Sequence, residues 1–198
     1  MPGHTRSTPG PDSRSADVRA RLLQAAAELI PRHGWGAVST RMIAEQAGVT
    51  PGLVHYHFGS VQALLSRAAL DAIRAVIGGM GAQLHDARTA RQVLNQLFSA
   101  LDSYSGRDPF SLLMVETYLA AGRDDTLREG LMAVVADFRD ELAAVLRDRQ
   151  VPDPAGTAGV LAAALDGVVL HRALGLALPA ATVSRVLGRA LQHEENQE

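Results

Sequence analysis

The sequence predicts an all-α protein, a three-helix N-terminal domain followed by a C-terminal helical bundle, and three observations carry that prediction. Apolar residues recur at helical spacing along most of the chain. Ala and Leu dominate, only 4% of the residues are aromatic, and few stretches read as strands. Residues 39–58, STRMIAEQAGVTPGLVHYHF, spell two short helices joined by a tight turn.

Met1 to Arg14 is rich in Pro, Gly, Ser and Thr and reads as a disordered tail. It is either simply solvated or a basic arm that reaches DNA through Arg6 and Arg14. The first helix runs from Ser15 to His33 on the stripe Val18, Leu22, Ala25, Ala26 and Leu29, and Gly34 ends it. Trp35 then reads as a core plug. Ser39 caps a short helix whose apolar side is Ile43, Ala44 and Ala47, and Gly48 frees the backbone to turn. Thr50 is expected to cap the next helix, with Pro51 at its first position and Leu53, Val54 and Phe58 facing inward. Ser60 starts a helix that is expected to weaken near Ile77, where Gly78, Gly79 and Gly81 follow as a helix end or a hinge.

The expected domains are therefore 15–77 and 78–198. In the second, helices are read over 91–104, 109–121, 125–150, 159–178 and 182–192. The helix over 159–178 is apolar nearly all round, and the last one carries a regular stripe. So much apolar surface suggests a face that meets a second copy in a two-fold four-helix bundle. The residues expected there are Val160, Leu161, Val168, Leu174, Val183, Val186, Leu187 and Leu191. Packing within one chain is the alternative.

Net charge is −2, which excludes a uniformly basic protein. Residues 1–60 nevertheless hold six Arg against four acids, and residues 61–198 hold thirteen against seventeen. With no Lys anywhere, every fixed cationic contact falls to Arg. No cysteine, signal peptide or membrane-length apolar run is found, so a cytoplasmic protein with no membrane partner is expected. No phosphate-binding loop, dinucleotide fingerprint, nucleophile elbow or metalloprotease pattern points to an enzyme. His55 and His57 have no Cys, Asp or Glu at ligand spacing, so neither a metal nor a cofactor is expected.

From Arg21 to about Leu65 the chain resembles the tetracycline-repressor (TetR) family of bacterial regulators. LLQAAAELI, Gly34, Ile43-Ala44, Ala47-Gly48-Val49, Gly52 and His57-Phe58 carry the resemblance, and AALDGVVLHRAL around Asp166-Gly167 is similar to the penultimate helix of many members. The resemblance implies a homodimer that binds a near-palindromic double-stranded DNA operator and is released by a small, largely hydrophobic effector. It implies backbone contacts from Thr40, Arg41, Tyr56 and His57, and groove contacts from Thr50, Pro51, Gly52, Leu53 and His55, with His55 donating to a guanine or a phosphate. Two positions depart from the family: Val61 stands where a phosphate-binding lysine is usual, and His55 where tyrosine is common. Leu97, Phe98, Leu101, Tyr104, Met114, Tyr118, Phe138 and His171 are the candidate effector-pocket residues, with Glu116 as a further polar group.

Overall fold

The computed structural model describes residues 11–176 and 178–193, with side chains over 13–176 and 178–189. Among them are nine α-helices and no strand: α1 Pro11–His33, α2 Thr40–Ala47, α3 Gly52–Phe58, α4 Val61–Leu84, α5 Ala90–Ala100, α6 Pro109–Ala121, α7 Asp125–Asp148, α8 Pro154–Ala173 and α9 Ala180–His193. The chain divides between Ala69 and Leu70 into two compact units.

In the N-terminal unit, Leu22, Ala26 and Ile30 of α1 are fully buried together with Ile43, Val54, Leu64 and Leu65 from the three helices that follow. Helix α1 begins four residues before the expected Ser15, with Pro11 at a position where a missing N–H costs nothing. The preceding tail, including Arg6, lies outside the described residues. Trp35 is half-buried rather than a core plug. It lies on a short 3-10 turn, and its indole N–H donates to Gln62 Oε1 at 3.0 Å.

Helix α4 does not stop at Ile77. Three glycines each cost about 1 kcal/mol relative to Ala. Burying Leu84, 1% exposed, against the C-terminal core offsets that at about 1.5–3 kcal/mol per large side chain. The unit boundary accordingly falls inside α4, eight residues before the expected one.

The C-terminal unit is built on a single core of α5, α7, α8 and α9 residues, including Leu94, Leu97, Phe98, Leu142, Leu146 and Leu161. Helix α5 packs on α9, and α7 packs on α8 and α6. Two guanidiniums tie its connections. Arg149 donates to the carbonyls of His85 and Ala87, between α4 and α5, and to Val145 near its own helix end. Arg172 donates to the carbonyls of Leu101 and Tyr104 after α5 and of Leu178 before α9, and pairs with Asp102 at 3.1 Å. Helix α8 starts five residues earlier than expected because Asp153 accepts from the Gly156 N–H at 3.0 Å and Pro154 fits the first turn. It ends at Ala173 rather than 178, where Gly175 takes φ 80 and Leu176 folds back to donate to the His171 carbonyl.

Candidate functional site

Helices α2 and α3 form a helix-turn-helix whose geometry follows from local capping. Ser39 Oγ accepts from the Met42 N–H at 3.3 Å, starting α2. Gly48, at φ 63 and ψ 40, ends it in the left-handed region that glycine enters without strain. Arg21 of α1 donates to the free Ala47 carbonyl at 3.0 Å, placing a cation at the negative end of the α2 dipole. The start of α3 differs from expectation. Thr50 contributes its backbone carbonyl, which accepts from the Leu53 N–H at 3.1 Å, and no side chain caps this end. Pro51 already has helical angles, so α3 is pre-set by the proline ring.

Val54 is the one fully buried residue of α3, while Leu53 and Phe58 are half-buried. The Arg19 guanidinium lies 4.9 Å over the Phe58 ring. This leaves Thr50, Pro51, Gly52, His55 and Tyr56 exposed, and His57 half-buried. Tyr56 is 78% exposed, which is unusual for a tyrosine, and packs edge-on against His57 at 4.9 Å. Thr40 and Arg41 sit on the first turn of α2, half-buried and exposed. His55 Nδ1 is 3.1 Å from the Gly59 carbonyl. A carbonyl only accepts, so Nδ1–H donates to it and Nε2 is left for another partner.

A second feature lies within the C-terminal unit, a cavity partly open to solvent. It is lined by Val76, Ile77 and Met80 of α4, by Leu101, Tyr104, Phe110, Met114, Val115 and Tyr118 of α5–α6 and their connection, by Val135 and Phe138 of α7, and by Ala162, Leu165, Asp166, Val169 and Leu170 of α8. Five of the expected pocket residues line it: Leu101, Tyr104, Met114, Tyr118 and Phe138. Leu97 and Phe98 do not line it, and both are fully buried in the core of the unit. His171 is exposed and off the cavity wall, and Glu116 is not part of the lining either.

The residue that sequence reasoning missed is Asp166. Its Oδ2 accepts from the Tyr118 hydroxyl at 2.7 Å. Burial holds the Asp166 carboxyl above the usual carboxylate range, with the Tyr118 hydrogen bond pulling the other way. The Tyr118 phenol is pushed well up, first by burial and then by that bond and the charge behind it. An acid within the otherwise apolar run AALDGVVL was the available signal. The turn before α6 is set by Asp108, which accepts from Ser111 N–H and Oγ and from Ser105 N–H. Burial alone would raise the Asp108 carboxyl, but these bonds overcome it and hold it low. Gly106, at φ 79, lets this turn touch α8, since a Cβ there would lie 2.3 Å from the Ala173 nitrogen.

The residues expected at a two-fold interface are split. Val160, Leu174 and Val186 are exposed. Leu161 and Val168 are instead buried within the chain, and Val183 and Leu187 pack on its core, because α8 and α9 turn one face each toward α5 and α7. The Leu191 side chain lies outside the described residues. Leu170 and Leu176 join the exposed apolar set.

A helix-turn-helix on a small three-helix core, followed by a separate helical unit, defines a transcriptional regulator of the helix-turn-helix class. Residues 22–68 match the family model of bacterial regulatory proteins of the tetR family, and residues 85–193 match a tetracyclin repressor-like C-terminal domain. The chain belongs to the TetR family of regulators. It is 32% identical over 162 residues to the HTH-type transcriptional regulator BetI of Rhizobium meliloti, covering 79% of this chain and 78% of the relative. A transcriptional regulator from Streptomyces coelicolor A3(2) shares 30% identity at a TM-score of 0.69, over 88% of this chain and 98% of that one. A regulator from Saccharomonospora viridis, solved in complex with choline, shares the fold at a TM-score of 0.74 and 22% identity, over 90% of this chain and 97% of that one.

Proposed function

We propose that the protein is a homodimeric transcriptional repressor in the cytoplasm that leaves a near-palindromic operator when a small, largely hydrophobic effector enters its C-terminal cavity. The observation that carries this reading is the make-up of α3: one buried valine holds it, and its remaining polar and aromatic groups face outward. A folded protein gains nothing in stability from a tyrosine left 78% exposed, whereas a duplex offers it phosphates and base edges. Thr40, Arg41, Tyr56 and His57 are assigned to the DNA backbone. Thr50, Pro51, Gly52, Leu53 and His55 are assigned to the major groove, with His55 donating to a guanine or a phosphate.

One monomer presents too few base contacts for selectivity, and two copies reading half-sites about 34 Å apart solve this. The exposed apolar residues of α8, its C-terminal cap and α9, Val160, Leu170, Leu174 and Val186, support a second copy as their cover. By length and composition alone α8 is also apolar enough to cross a membrane. Its buried face and its Asp166 and Arg172 favour the dimer. The cavity supports the effector, as does the choline held by the Saccharomonospora relative. Effector binding relieves repression only if it favours one spacing of the two recognition helices over the other.

The test is a gel shift on the DNA upstream of the protein's own gene. Wild type retards the fragment, and Tyr56→Ala weakens binding by about tenfold or more with its circular dichroism unchanged. Absence of a shift on any genomic fragment at low salt refutes the reading. In parallel, light scattering should give twice the chain mass for wild type and a single chain for Leu174→Glu.

A further inference from the structure

We infer that the C-terminal cavity takes a monocation with an apolar body, and that Asp166, presented by Tyr118, is the counter-ion that selects it. The inference rests on the cavity being the effector site, and it adds the ligand's charge to that reading. Among the described residues, Asp166 is the only acid on the wall, and no Arg or His lines the cavity. Among the described residues no cation pairs with it: its partner is the neutral Tyr118 hydroxyl at 2.7 Å. A carboxylate in such a place is left with part of its hydration removed and no opposite charge.

A bound ligand decides whether that cost is recovered. A neutral apolar ligand would desolvate Asp166 further and return nothing. An anion would be repelled by it. A cation restores the pairing, and the rings of Tyr104, Phe110, Tyr118 and Phe138 on the same wall add the negative faces that attract cations. Tyr104 and Phe110 already pack together, with ring centres 5.2 Å apart, so this part of the wall is formed before a ligand arrives. The remaining lining is aliphatic, which asks for an apolar body on the same molecule. The Tyr118 hydroxyl fixes one carboxylate oxygen and leaves the other for the ligand.

Three probes of one shape and three charges test this: 4-phenylbutylammonium, 4-phenylbutanol and 4-phenylbutanoate, titrated into the full chain by ligand-observed NMR at neutral pH. Wild type is expected to prefer the ammonium over the alcohol by about tenfold or more, the size of one charge pair in a partly screened site, and to bind the carboxylate weakest. Asp166→Asn should lose that preference while keeping its affinity for the alcohol, which shows that the cavity remains intact. Tyr118→Phe should reduce the preference without abolishing it. Equal binding of ammonium and alcohol by wild type overturns the charge assignment and leaves the cavity as a ligand site, and so does a preference that survives Asp166→Asn. No binding of any probe overturns both.

Discussion

Helices α3 and α8 solve the same task in opposite ways. Helix α3 is seven residues long, rests on Val54, and puts its working side chains outside. Helix α8 is twenty residues long, buries Ala158, Leu161, Leu165 and Val168, and keeps its one acid turned into a cavity. The first is held by local backbone chemistry at Gly48, Pro51 and Gly59. The second is held by packing with residues tens of positions away. Damage to α3 should therefore be confined to DNA binding, while damage around α8 should spread through its unit.

Gly106→Ala is the strongest way to break the α8 side. It places a side chain at φ 79 and drives a Cβ to 2.3 Å from the Ala173 backbone. We expect a loss of about 3 kcal/mol or more, read by urea unfolding, together with loss of probe binding. Val54→Ala is the counterpart on the α3 side. Removing two buried methyl groups should cost about 1–3 kcal/mol and abolish the gel shift, with probe binding retained.

Asp108→Ala should cost about 1 kcal/mol at neutral pH, as for other helix caps. Because the folded-state carboxyl of Asp108 is held low, its stabilisation is complete above the unfolded value and is lost as pH falls through the folded one. The gap between wild type and variant should thus close on acidification, which unfolding curves at neutral and acid pH would show. Asp166→Asn should have the smallest effect on stability and the opposite sign. A carboxyl raised by burial favours the fold below its unfolded value and turns into a cost as pH climbs through the folded one. The variant's unfolding temperature should match or exceed that of wild type at neutral pH without ligand. A clear drop would mean that Asp166 serves the fold.

The same contrast explains what could be read from the chain. The bounds of α2, its Ser39 cap and its Gly48 stop are local signals and were legible. The end of α4 was not, because burial of Leu84 outweighs the glycine propensity that suggested a stop at Ile77. Five cavity residues followed from apolar spacing. Spacing alone, however, does not say which side of α5 meets α9, so it assigns Leu97 and Phe98 to the pocket, although neither lines it. The Tyr118–Asp166 bond spans 48 positions, and only the fold brings its two ends together.

The Arg172 joint bears on how such a cavity changes its preferences. Leu101 and Tyr104 face the cavity with their side chains, yet Arg172 grips them by their main-chain carbonyls. Any amino acid supplies that carbonyl, so residues at these two positions can be exchanged without unfastening the wall. The chemical taste of the chamber is thereby free to drift while its frame stays put, a mechanical basis on which one scaffold can come to answer many different signals.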